Sequence, residues 1–217
     1  MQLIIIGGGT SVSEGIVTGL KYKLEDKFVC GINYAYKYFD TTFLTCLNYT
    51  DFYDTNRKEL KELPLIITCD RVHPSIWEKN TVLAKSGSSI AGRPALSGLL
   101  ALDIATRILD KGDEIYLLGY DYGVINEIKD QQGRSQTHFY QGNEEHRGIG
   151  SHSYYDRSKS CSFFNQSTDN YVPIFNVSVD SNIKCFPRIS YSEFYERLDE
   201  KEYNQTILRH LIHRRLR

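Results

Sequence analysis

Met1-Gln2-Leu3-Ile4-Ile5-Ile6-Gly7-Gly8-Gly9-Thr10-Ser11 is the stretch on which the fold turns. Leu3 to Ile6 form a continuous, largely β-branched apolar run that stops at three glycines. An apolar run without alternation suits a strand buried on both faces, the usual state in a parallel sheet. The glycines read as a tight loop into a helix over Ser11–Leu20, with Ser11 or Ser13 as its cap. Gly7, Gly8, Gly9, Thr10 and Ser11 thus form a loop whose backbone N–H groups can approach a phosphate or ribose. Val12 stands where the dinucleotide pattern G-x-G-x-x-G needs its third glycine, and no Gly-Lys-Ser/Thr follows, so neither a standard dinucleotide loop nor a P-loop is present.

Further strands are expected at Phe28–Ile32, Thr42–Leu47, Leu65–Cys69, Glu114–Leu118 and Pro173–Ser178. Helices are expected at Arg57–Leu63, Ser97–Leu109, Ser190–Leu198 and Glu202–Arg217. Ser97–Leu109 is apolar around most of its circumference and reads as central. Ser190 and Glu193 have capping-box spacing. Strands alternating with helices predict an α/β fold: one Rossmann-like domain over residues 1–217, with a mostly parallel sheet. Residues 123–170 are polar and without periodicity, and read as an inserted lid.

In such sheets ligands sit at the carboxyl ends of the strands. Here those ends carry the glycine loop, Asn33, Asn48, Asp70 and Asp121. Each alone is an ordinary turn residue; the series points to one nucleotide site that also includes Ser97 and Gly98. Asparagine offers both donors and acceptors to a base or ribose edge.

The 217 residues carry a net charge of −1, which argues against a general nucleic-acid binder. Five cysteines with no C-x-x-C pair fit reduced thiols and a cytoplasmic location. The N-terminus lacks the basic and apolar regions of a signal peptide. Tyrosine is abundant, at 16, which suits half-buried strands as well as ligand-lined surfaces. No D-x-D clamp occurs, so no metal is expected and developing charge on a leaving phosphate needs other donors. Tyr122 and one of Tyr154 or Tyr155 are the candidates, and His152, beside Tyr154 and Tyr155 in sequence, is the candidate general base. His138 and His146 are the reserves. The last helix, ending RHLIHRRLR, reads as a packed terminal helix whose cations suit its own dipole, with a peripheral membrane or partner contact as the alternative.

Ile6-Gly7-Gly8-Gly9-Thr10-Ser11, Asn33-Tyr34, Asn48-Tyr49, Phe52-Tyr53, Leu96-Ser97-Gly98 and Gly119-Tyr120-Asp121-Tyr122 follow one another in an order that resembles the small bacterial sialyltransferases of glycosyltransferase family 42. Phe175-Asn176-Val177-Ser178 and Phe186-Pro187-Arg188-Ile189-Ser190 are similar to the endings of such transferases and their relatives. The chain departs from that pattern where Gly8 replaces an asparagine and Thr10 a proline, and Thr137–Gly148 has no counterpart. The resemblance implies a metal-independent transferase that uses a CMP-linked sugar and a lid histidine, acting on a glycan or another hydroxyl acceptor, with a nucleic-acid base as the other acceptor class and a homo-oligomer possible. A similar start and core occur in the archaeal 6-hydroxymethylpterin diphosphokinases, which implies ATP and Mg²⁺ held by Asp51, Asp70 and Asp121. A nucleotide-binding regulator without chemistry is the third reading.

Overall fold

The computed structural model describes residues 1–46, 49–69, 79–84, 96–122, 138–140 and 172–216. Seven parallel strands form one sheet: β1 (Gln2–Ile6), β2 (Phe28–Ile32), β3 (Phe43–Thr45), β4 (Ile66–Cys69), β5 (Thr81–Ala84), β6 (Glu114–Leu118) and β7 (Ile174–Asn176). Their spatial order is β5-β4-β3-β2-β1-β6-β7. The helices are α1 (Val12–Val17), α2 (Leu20–Lys23), α3 (Tyr49–Leu60), α4 (Ser97–Ile108), α5 (Tyr191–Arg197) and α6 (Gln205–Leu216), with a 3₁₀ helix at Asn33–Lys37. The fold is the expected Rossmann-like α/β arrangement.

The alternation of side chains along β1 explains the layers. Leu3 and Ile5 point into a core shared with α4 and α6, through Leu102, Ile108, Leu208 and Ile212. Ile4 and Ile6 point to the other face, against Val12, Leu20, Tyr191 and Phe194. All four β1 residues are fully buried. Both faces of the strand must therefore be apolar, and the sequence Leu-Ile-Ile-Ile meets that requirement.

Several elements differ from expectation. The helix expected over Ser11–Leu20 is two short helices, because Gly19 adopts φ 84° and turns the chain between them. The third helix starts earlier, at Tyr49, because Phe52, Asn56 and Leu60 lie on one buried stripe with Tyr53 beside it. Thr81–Ala84 is an unforeseen strand, paired with β4 from Ile66↔Thr81 to Cys69↔Ala84. Four residues inside a polar stretch carry too little periodicity to be read locally. α4 begins at Ser97, as expected, with Leu96 as its N-cap residue. Ser190 caps α5 as expected, its hydroxyl accepting from the Glu193 amide at 3.1 Å.

The terminal helix begins at Gln205 and packs against α4. Leu208, Ile212 and Leu216 are buried, and Arg215 pairs with Asp110 at 2.6 Å. Among the described residues no helix is long and apolar enough to cross a membrane. Of the expected lid, the described residues are His138, Phe139 and Tyr140; the rest of 123–170 lies outside them.

Candidate functional site

From β1 the strand order runs outward through β2 to β5, then returns to β6 on the opposite side of β1. The loops after β1 and β6 consequently leave the sheet in different directions, and the crevice between them is where open parallel sheets bind ligands. β1 and β6 pair in register from Gln2↔Glu114 to Ile6↔Leu118. The glycine loop and Gly119–Tyr122 are thereby brought side by side. The Gly7 amide donates to the Leu118 carbonyl at 2.8 Å and the Gly9 amide to the Gly119 carbonyl at 2.9 Å.

Gly119 has φ 69°, and a Cβ there would meet Val12 Cγ2 at 2.7 Å and the Gly9 nitrogen at 2.9 Å. Conformation and space both demand glycine. Gly9 is constrained by space: a Cβ would lie 2.5 Å from the Gly119 carbonyl oxygen and 2.5 Å from Asp121 Oδ2. Gly8 meets a side chain instead, since a Cβ would fall inside contact distance of His138 Cδ2 and 3.0 Å from the Tyr140 hydroxyl.

Asp121 is buried and organises the loop. It accepts from the Ser11 amide at 2.9 Å, from the Ser11 hydroxyl at 2.5 Å and from the Thr10 hydroxyl at 3.5 Å. Ser11 thus uses its hydroxyl on Asp121 and makes no side-chain cap to α1. Three of the five loop amides, those of Gly7, Gly9 and Ser11, have protein acceptors, while those of Gly8 and Thr10 have none among the described residues. The carboxylate also gives the loop a negative charge. A second unit charge about 5 Å away would be opposed by about 3 kcal/mol at an effective dielectric near 20.

The backbone around Asp121 is held by the turn after β7. The Ser181 hydroxyl donates to the Tyr120 carbonyl at 2.6 Å, Asn176 Nδ2 donates to the same carbonyl at 3.2 Å, and the Asn182 amide donates to the Asp121 carbonyl at 2.9 Å. Tyr122 follows with φ 43°, an uncommon conformation for a non-glycine residue, held by the packed segment around it. Its hydroxyl would be 2.8 Å from a Cβ on Gly98, and the Tyr120 hydroxyl donates to the Gly98 carbonyl at 3.0 Å. The first turn of α4 therefore packs beside Tyr120 and Tyr122 through Gly98. Asn33 begins the 3₁₀ turn after β2 with φ 50°, at the carboxyl end of the strand next to β1. Asn48, Asp70, His146, His152, Tyr154 and Tyr155 lie outside the described residues.

Three contributors were not expected from the sequence. Tyr140 is buried, and burial pushes its hydroxyl well above the ordinary tyrosine range, with Tyr34 and Tyr38 adding to the shift. Tyr191 of α5 lies against α1, where a Cβ on Gly15 would meet its ring at 2.5 Å. Its hydroxyl is buried without a hydrogen-bond partner among the described residues, and it is held protonated by burial first, then by Tyr195, Asp121 and Glu14. Ser181 is the third, a buried turn serine whose only signal in sequence is its place after a strand. Much of the tyrosine excess goes into packing: Tyr34, Phe52, Tyr53 and Tyr140 share one buried cluster with Tyr36 and Tyr38 at its edge.

Among the described residues no three His, Cys, Asp or Glu side chains gather as a metal site would require. Comparison with protein-family models, with curated proteins and with solved structures finds no match to this chain.

Proposed function

We propose that the crevice between β1 and β6 binds a nucleotide and that the chain transfers a group from a nucleotide-activated donor, with glycosyl transfer from a CMP-linked sugar as the reaction. The observation that carries this reading is the convergence of the glycine loop, Asp121, Tyr122 and Gly98 at the point where the strand order reverses. Asp121 accepts hydrogen bonds and so suits the hydroxyls of a ribose or sugar better than a phosphate. Tyr122, with Tyr154 or Tyr155, would donate to the departing phosphate, and His152 would take the proton of the acceptor hydroxyl. The acceptor in this reading is a glycan or another hydroxyl compound. Because the apolar face of α6 packs on the domain, any membrane contact of that helix would rest on its exposed arginines.

Thermal unfolding with CMP, UDP, ADP and ATP, each with and without Mg²⁺, tests the proposal. A ligand at about 100 times its dissociation constant stabilises by about 2.7 kcal/mol. CMP is expected to stabilise without Mg²⁺. Stabilisation by ATP alone, and only with Mg²⁺, would favour the diphosphokinase reading, and no shift with any nucleotide would reject nucleotide binding.

A further inference from the structure

We infer that His138 is a further phosphate contact of this crevice, beside the tyrosines proposed above, and that anion binding there depends on imidazole protonation. This rests on the reading of the crevice as a nucleotide site, and it adds a residue and a pH dependence to that reading.

The first support is position. The Phe139 amide donates to the Gly8 carbonyl at 2.9 Å. The Phe139 ring packs against Tyr38 at 5.1 Å and Phe39 at 6.2 Å, and Tyr140 packs against Tyr34 at 5.5 Å. Aromatic contacts and a backbone bond pin the segment on both sides of its hydrogen bond to the loop. The His138 ring stacks on Tyr140, with centroids 5.0 Å apart and planes at 25°. It lies directly against Gly8, whose missing side chain leaves the space.

The second support is charge. Asp121 already takes the Ser11 amide and hydroxyl, and its charge opposes an anion on the loop. A phosphate in the crevice needs a cation to offset that carboxylate. Lys37, on the 3₁₀ helix, lies over the Tyr34 ring at 5.7 Å and is paired with Glu59 at 3.1 Å. Glu14 adds a negative charge in the first turn of α1. Tyr140, stacked on the imidazole, stays a neutral phenol because burial raises its hydroxyl. Among the described residues, His138 is the group in contact with Gly8 that can become positive near neutral pH. A protonated imidazole donates from both nitrogens, and a bound phosphate stabilises that form. Affinity should then fall as pH rises through the imidazole titration.

The test is calorimetric titration of the full chain with inorganic pyrophosphate and, separately, with CMP and cytidine. Wild type is compared with His138→Phe, which keeps a ring on Tyr140, and with His138→Gln. Pyrophosphate is expected to bind wild type about tenfold or more tighter at about pH 6 than at about pH 8, a dependence that both variants lose. Asp121→Asn should tighten pyrophosphate binding, and CMP should lose its advantage over cytidine in His138→Phe. Equal pyrophosphate affinity for wild type and both variants at about pH 6 would overturn the inference, as would a pH slope that survives in them. Binding of CMP with no effect of His138 would leave the nucleotide reading standing alone. Pyrophosphate binding that depends on His138, with no nucleotide bound, would reject the nucleotide reading and keep the anion contact. Absence of binding by every probe would reject both.

Discussion

Gly8 and Gly9 are adjacent and chemically identical, yet the structure gives them opposite sensitivities to a methyl group. At Gly9 the added Cβ would lie 2.5 Å from the Gly119 carbonyl oxygen and 2.5 Å from Asp121 Oδ2. The carbonyl is backbone at the end of β6 and cannot rotate aside. Relief requires the loop to lift from β6, which breaks the 2.9 Å bond from the Gly9 amide to Gly119. Overpacking of this kind costs about 1–3 kcal/mol, and the lost bond adds about 1 kcal/mol. Gly9→Ala is therefore expected to destabilise by about 2–4 kcal/mol and to lower the Tm by about 5–15 °C. At Gly8 the obstacles are the His138 ring and the Tyr140 hydroxyl, both side-chain atoms. The imidazole can swing away, so Gly8→Ala should cost about 1 kcal/mol or less. Its effect should appear in pyrophosphate affinity, because the displaced ring is the proposed anion contact. Urea unfolding followed by circular dichroism, with pyrophosphate titration in parallel, measures both quantities. If Gly8→Ala lost as much stability as Gly9→Ala, the account of which contacts confine the loop would be wrong.

Two further outcomes follow from the packing. Burial holds the Asp103 carboxyl above its ordinary range although Arg107 lies 3.7 Å away. The ionised form is therefore penalised in the fold, and Asp103→Asn should stabilise at neutral pH. That gain should shrink as pH falls through the raised native value and vanish below about 4, where the unfolded carboxyl is also protonated; urea midpoints measured across that range check the sign. On α6, Ile212→Ala should cost about 2–5 kcal/mol because Ile212 is fully buried, whereas Ile207→Ser, at a position 67% exposed, should change stability by about 0.5 kcal/mol or less. Similar unfolding midpoints for the two variants would show that the helix does not dock through that face.

The sheet was legible from local patterns because its strands are short and apolar on both faces. Leu3–Ile6, Phe28–Ile32 and Glu114–Leu118 each announce burial through residue type alone. β5 was not legible, since Thr81-Val82-Leu83-Ala84 becomes a strand by pairing with β4 rather than by its own pattern. The start of α3 was displaced for a related reason: its buried stripe, Phe52, Asn56 and Leu60, includes a polar residue. Nδ2 of that residue, Asn56, is satisfied by the Phe52 carbonyl at 2.8 Å, which no apolar count registers.

Sequence alone determined that a strand runs into a glycine loop, that strands and helices alternate, and that polar residues stand at strand ends. Those properties depend on neighbours a few positions apart, where periodicity and turn chemistry act. Only the tertiary structure decided what the loop meets. Ser11 and Asp121 are 110 residues apart, and they touch because β6 returns to pair with β1. His138 reaches Gly8 because Phe139 and Tyr140 find aromatic partners beside β2. A polar segment without periodicity carries no local sign of its destination, so its histidines could not be ranked before the packing was known. The strand order placed a carboxylate in the glycine loop, and the packing of one tripeptide placed an imidazole against it.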